Sequence, residues 1–257
     1  MKPTAPKSIL ITGASSGIGR ALALEYAEPG VHLSFTGRDE TRLIEVERAC
    51  QDRGATTKSA VLSVTDQSAM ATFIKAIDAQ HPLDLVIANA GISAGSGKGE
   101  EGETERQARA IFDVNFTGVL NTIWPAIHAM KPRHKGQIAI ISSVAGMLSL
   151  PGAPAYSASK AAVKAYAEAL NGALRTDGII VTTVCPGFVE SRITAKNTFP
   201  MPFFMSAEKA ARIIRKGLEK GKVSVFFPWR LAAITWLVSL LPPCWRVSVL
   251  LRAPKKT

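Results

Sequence analysis

Short apolar runs, each closed by glycine or a polar residue, alternate along this chain with longer stretches whose apolar positions recur at helical spacing. The runs at 8–12, 31–36, 60–64, 83–88, 137–142 and 179–185 predict six strands, and 19–27, 40–52, 68–79, 103–130 and 156–176 predict helices between them. Strands that alternate with helices pair in parallel, because each crossover returns the chain to the same end of the sheet. The expectation is an α/β fold, a doubly wound parallel sheet with helices on both faces and its ligand crevice at the carboxyl ends of the strands. Residues 98–105, rich in glycine, and 188–206 read as the irregular segments.

With 257 residues, 47% of them apolar, the chain fills a single domain with an ample core. Charge changes the picture only at the end. Eleven of the 31 Lys/Arg but two of the 20 acids lie from residue 207 onward, so 207–257 carries +9 and the preceding 206 residues +2. Cys50, Cys185 and Cys244 are far apart and odd in number, which predicts a reducing, cytoplasmic setting without disulfides. Cys185, inside an apolar run, reads as a small buried strand residue, and neither the cysteines nor the four histidines have metal-ligand spacing. Residues 1–7 lead directly into the first strand with no signal-peptide pattern.

Three features carry chemistry. The turn Thr12-Gly13-Ala14-Ser15-Ser16-Gly17-Ile18-Gly19 joins the first strand to the first helix. Its glycines let backbone approach a pyrophosphate, and the helix behind it presents free N–H groups and a positive dipole end. Tyr156 and Lys160 lie four residues apart, on one helix face. A cation beside a phenol favours the phenolate, so Lys160 is expected to draw the tyrosine below its ordinary pKa of about 10 and make it a usable acid/base. The third feature is the pair Ser142-Ser143, the second serine thirteen residues before the tyrosine.

The turn spacing G-x-x-x-G-x-G, Tyr156-x-x-x-Lys160, Asn89-Ala90-Gly91, Asn115 and Pro186-Gly187, in that fold order, resemble the short-chain dehydrogenase/reductase family over residues 8–192. The resemblance implies a Rossmann-like fold in which Gly13, Ser15, Ser16, Ile18 and Gly19 contact cofactor phosphates and the nearby sugar. It places Asn89, Ala90 and Gly91 at the adenosine ribose, and Pro186, Gly187, Val189 and Ser191 against the nicotinamide. Lys160 would bind the nicotinamide ribose as well as tune Tyr156. Ser143, rather than Ser142, would hydrogen-bond the substrate carbonyl, while Asn115 would hold a water that links Lys160 to solvent. The implied domain organisation is a dinucleotide-binding and catalytic unit at 1–206, with its substrate loop at 188–206, and a helical, basic and apolar C-terminal extension at 207–257 packed on it. Relatives form homodimers or homotetramers through the helices at 103–130 and 156–176.

Cofactor choice follows from charge. Gly37 stands where NAD-specific relatives carry an aspartate for the ribose 2′-hydroxyl, and Arg38 beside it can pair with a 2′-phosphate. NADP(H) is favoured, and NAD(H) stays open because Asp39 follows one residue later and because Arg38 could merely stack on adenine. Ser63 replaces an aspartate used near adenine in many relatives, a weaker acceptor at that place.

In the extension, the apolar run 231–241 spans only about 16 Å as a helix, too short to cross a bilayer. Trp229, Trp236 and Trp245 lie among apolar residues bounded by Arg230 and Arg246. Peripheral membrane contact through 229–252, a lid over the cleft, a subunit contact and a packed tail all remain open. Nucleic-acid binding is not expected, since no recognition motif accompanies the basic residues. The apolar loop 198–205 fits a greasy pocket. These features together predict an NADP(H)-dependent reductase of an apolar, lipid-like ketone. An NAD-dependent alcohol dehydrogenase and a non-catalytic nucleotide-binding regulator are the alternatives, the latter disfavoured by the complete set Asn115, Ser143, Tyr156 and Lys160.

Overall fold

A computed structural model describes residues 3–93, 103–197 and 199–251; residues 98–102 of the glycine-rich loop, Thr198 and the terminal 252–257 lie outside it. Strand β1 (Ser8–Thr12) is followed by α1 (Gly17–Tyr26), β2 (His32–Gly37), α2 (Glu40–Gln51), β3 (Thr56–Val61), α3 (Gln67–Gln80) and β4 (Leu85–Ala88). Then come α4 (Glu105–Phe112), α5 (Gly118–Met130), β5 (Gly136–Ile141), α6 (Pro154–Ala173) and β6 (Ile179–Pro186). The chain continues through α7 (Ala207–Glu219), β7 (Ser224–Phe227), α8 (Trp229–Ser239) and α9 (Pro243–Leu251).

All strand pairs are parallel, in the order β3-β2-β1-β4-β5-β6-β7. Side chains alternate across a strand, so Ile9 and Ile11 of β1 enter one helical layer and Leu10 the other. The first layer is α1, α2 and α7, seated through Leu22, Leu43 and Ile214; the second is α3, α5 and α6, seated through Ile74, Ile123 and Val163. A strand covered on both faces cannot alternate apolar with polar, which is why the central strands read as continuous apolar runs. β1 connects outward to β2 on one side, and β4 pairs with its other edge. At that reversal the connecting segments diverge and leave a crevice above the strand ends.

Three elements depart from the sequence reading. β3 is Thr56–Val61 rather than 60–64, because an edge strand half open to solvent carries Thr56, Thr57, Lys58 and Ser59 and shows no apolar run. The helix read as continuous over 103–130 is α4, a π-helical turn at Asp113–Thr117, and α5. In that turn the Gly118 N–H reaches back to the Asp113 carbonyl, and the extra residue re-aims Asn115 inward. The sheet also has a seventh strand, β7, only four residues long, paired with β6 with Val225 opposite Val184. Helix α7 leads to it, its Arg215 guanidinium lying over the Tyr26 ring of α1 at 5.1 Å.

Local caps set the helix starts. Asp39 Oδ1 accepts from Arg42 N at 3.1 Å, Asp66 Oδ1 from Ala69 N at 2.9 Å, and Thr104 with Gln107 closes a reciprocal capping box on α4. Among the described residues no helix is long and apolar enough to cross a membrane.

Candidate active site

The turn after β1 is held from beneath. Asn89 donates from Nδ2 to the Thr12 and Gly13 carbonyls at 2.9 and 3.2 Å, and Thr12 Oγ1 accepts from the N–H groups of Asn89 and Ala90 at 3.1 and 3.2 Å. Gly13 has φ +67°, and a Cβ there would come within 2.8 Å of the Ala90 Cα. A Cβ on Gly19 would lie 2.3 Å from the Gly13 carbonyl oxygen and 2.5 Å from Asn89 Nδ2. Gly19 therefore permits close packing of α1 under the turn and does not itself line the cleft. Ser15, Ser16, Gly17 and Ile18 do line it. Ser16 makes no side-chain cap, so the α1 N-terminus offers its N–H groups and dipole to an anion.

From this turn a cleft of about 590 Å³ runs in two directions along the strand ends. At one end stand Gly37, Arg38, Asp39, Arg42 and Ser63. Arg38 is exposed and, among the described residues, has no ion-pair partner. Asp39 is engaged twice, as the cap of α2 and in an ion pair with Arg42. Its charge is thereby matched by a cation one helical turn away. Ser63 Oγ pairs with Thr65 Oγ1 at 2.7 Å. Ala90 and Gly91 line the middle of the cleft.

At the other end Ser143, Tyr156 and Lys160 converge. Ser142 is committed to structure, donating to the Lys160 carbonyl at 2.7 Å. Ser143 caps a short 3-10 turn at Val144–Met147, accepting from Ala145 N at 3.1 Å, and donates a long hydrogen bond of 3.4 Å to the Pro186 carbonyl. Its hydroxyl also faces the Tyr156 phenol and lowers that group's pKa. Lys160 is buried, its ammonium 2.9 Å from the Ile141 carbonyl oxygen and 5.9 Å from the centre of the Tyr156 ring. Asn115 sits fully buried behind this group. Its Oδ1 accepts from Ile92 N at 2.8 Å, and its Nδ2 donates to the Ile92 carbonyl and to Ser159 Oγ, both at 3.0 Å. The π-helical turn thus ties the segment after β4 to α6.

Electrostatics overturn one expectation. Burial raises the Tyr156 phenol above its usual pKa, and the Ser143 hydroxyl only partly opposes it. Lys160 does not draw it down: burial lowers that ammonium to about 8, and it is anchored on a backbone carbonyl. The phenol consequently keeps its proton at neutral pH.

The remaining wall is the segment after β6. Pro186, Gly187, Val189 and Ser191 line the cleft. Thr194, unremarked in the sequence, organises them: its hydroxyl donates to the Val189 carbonyl at 2.8 Å and accepts from Ser191 N at 2.9 Å. Gly187 N donates to the Phe227 carbonyl at 2.7 Å, and a Cβ on Gly187 would lie 2.7 Å from Leu231 of α8. One cleft therefore gathers the sequence-assigned residues except Gly19 and Asn115, which brace it from behind. Arg42 goes unremarked in the sequence as well, and Thr12, quoted as the start of the turn, has no role of its own there. Arg42 follows Arg38 by one helical turn, a spacing that could have found it; Thr12 gives no such signal, since its hydroxyl acts across strands.

Comparison with known proteins follows the same outline. A family model described as short chain dehydrogenase matches residues 7–200. An oxidoreductase of Myxococcus xanthus, described as uncharacterized, is 41% identical over 237 residues, 92% of this chain and 93% of its own. A 3-dehydrosphinganine reductase of Danio rerio is 32% identical, covering 88% of this chain and 74% of its own. Among solved structures, a short-chain dehydrogenase of Sphingobium yanoikuyae in complex with NADPH superposes with a TM-score of 0.79 at 23% identity, covering 97% of each chain. That likeness is one of fold.

Proposed function

Because the chain belongs to the short-chain dehydrogenase/reductase family and is an oxidoreductase, we propose that it uses NADP(H) to interconvert a carbonyl and an alcohol, reducing an apolar, lipid-like ketone. The observation that carries this reading is the convergence of Ser143, Tyr156 and Lys160 at one end of a cleft whose middle is an uncapped helix N-terminus. The residues fit a dinucleotide: Gly13 and Gly19 leave no room for side chains at the turn, and the α1 N–H groups suit a pyrophosphate. When bound, the nicotinamide supplies or accepts the hydride at the carbonyl carbon.

The chain's own residues handle the oxygen. Ser143 orients and polarises the carbonyl oxygen by hydrogen bonding. Tyr156, holding its proton, donates it to that oxygen in reduction and takes it back in oxidation. Lys160 would bind the cofactor ribose, and Asn115 fixes the α6 face that carries Tyr156 and Lys160. NADP(H) is supported by Arg38, by the absence of a carboxylate at Gly37, and by Arg42, which neutralises Asp39. The apolar substrate is supported by Phe199, Met201, Phe203 and Phe204 in the loop beyond the cleft, and by the lipid-like ketone named in the 3-dehydrosphinganine reductase relative. A homodimer or homotetramer would use Phe112 and Trp124, part-exposed on α4 and α5, together with α6.

Titration of NADPH and of NADH by nicotinamide fluorescence, followed by a panel of long-chain and polycyclic ketones, tests the reading. Wild type should prefer NADPH, and Arg38→Asp should lose about tenfold to a hundredfold of that preference, the worth of a charge-assisted contact. Equal affinity of wild type for the two cofactors would remove the role of Arg38. Tight binding without oxidation of NADPH across the panel would favour the regulatory alternative.

A further inference from the structure

Helix α8 has two unlike sides. Inward, Leu231 packs toward Gly187, and Thr235 is buried with its hydroxyl 3.7 Å from Met147 Sδ in the turn that begins at Ser143. Outward, Trp229, Trp236, Leu237 and Leu240 are 55 to 71% exposed, and α9 extends the surface with Trp245 at 66%. Isolated exposed apolar residues are ordinary; successive turns of two adjoining helices are not.

Charge selects what covers this face. No acidic residue follows Glu219, and 207–257 carries +9. Arg230 lies against the Trp229 ring at 5.6 Å, Arg246 interrupts α9, and Arg252, Lys255 and Lys256 follow it in the sequence. In a two-fold contact between copies of this chain the same basic segment would meet itself, so like charges would oppose closure. An apolar surface edged with negative charge fits instead. Tryptophans flanked by arginine suit the boundary between headgroups and acyl chains, and the helices are too short to go deeper.

We propose that the outer faces of α8 and α9 lie in the interface of an anionic phospholipid leaflet. Only the thickness of α8, about 10 Å, then separates the leaflet from the turn bearing Ser143. An apolar ketone could pass from lipid to cleft without crossing bulk water, a consequence that rests on the reductase reading; the docking itself does not.

Flotation with vesicles of phosphatidylcholine alone, and of phosphatidylcholine mixed with phosphatidylglycerol, tests the docking on the full chain. Wild type should float with the mixed vesicles at low salt, with a blue shift of tryptophan emission, and release at high salt. Arg230→Glu should weaken partitioning about tenfold, and the pair Leu237→Glu and Leu240→Glu by more. NADPH affinity of these variants should match wild type, which reports an intact fold. Failure of wild type to bind mixed vesicles, or equal binding by the variants, overturns the proposal. So does a wild-type oligomer, indifferent to vesicles, that the leucine variants split on ultracentrifugation, because the face then belongs to a second copy. Vesicle binding by a chain that never oxidises NADPH would leave the docking standing and remove the reductase reading.

Discussion

Helices α7 and α8 stand ten residues apart in the same basic fifth of the chain, and the more apolar of them is the less buried. In α7, seven of thirteen residues are charged or glycine, yet Ala210, Ala211, Ile214 and Leu218 lie in the core with their charged neighbours turned outward. α8 has one charged residue, Arg230, and of its eleven only Thr235 is buried. Burial follows arrangement and available partners rather than apolar content. α7 offers one stripe, which the sheet and α1 take up entirely. α8 is apolar nearly all round, and the turn that begins at Ser143 can accept only one side of it.

The contrast becomes measurable first at the chemistry. Tyr156→Phe removes the proposed proton donor from α6 and should lower kcat about a thousandfold with NADPH affinity unchanged, whereas Leu237→Ala on α8 should leave turnover of a short, soluble ketone at the wild-type level. Wild-type turnover by the Tyr156 variant would displace the proton donor to another group.

Stability should divide the two helices as well. Ile214→Ala opens a cavity beneath α7 and should cost about 3 kcal/mol in urea unfolding, while Leu237→Ala should stay within about 0.5 kcal/mol. Comparable losses would mean that α8 is integral to the cooperative core.

A smaller effect concerns pH. Lys160 loses its proton near 8, and Tyr156 does so above its usual value, so kcat/KM for ketone reduction should be flat to about pH 8 and fall by about tenfold per unit beyond it. The sign follows from the lowered lysine: the charged form, which the proposed hold on the cofactor ribose would use, is present below 8 and lost above it. A limb appearing only above pH 10 would assign the titration to Tyr156.

The expectation that failed shows where local pattern stops. Four-residue spacing put Tyr156 and Lys160 on one face of α6, as found, but it could not weigh a cation's attraction against burial of both partners. Burial prevailed, and the lysine is anchored on the carbonyl of Ile141 at the end of β5, outside the helix that carries the pair. Arg42 and Asp39 repeat the point: their pairing decides the charge at the Arg38 end of the cleft, and no single residue type announces it.

The chain's own local pattern determined the alternation of strands and helices, the glycine turn and the placing of Tyr156 and Lys160 on one helix face, because each depends on contacts within a few residues. Only tertiary structure decided the rest. β3 and β7 needed a neighbouring strand to be strands at all, Asn115 needed a π-helical turn to point inward, Gly19 needed Asn89 packed against it, and α8 needed an already filled core to leave its apolar face outside. Edge pairing, packing clearance and desolvation are sums over residues distant in sequence, and a local pattern does not contain them.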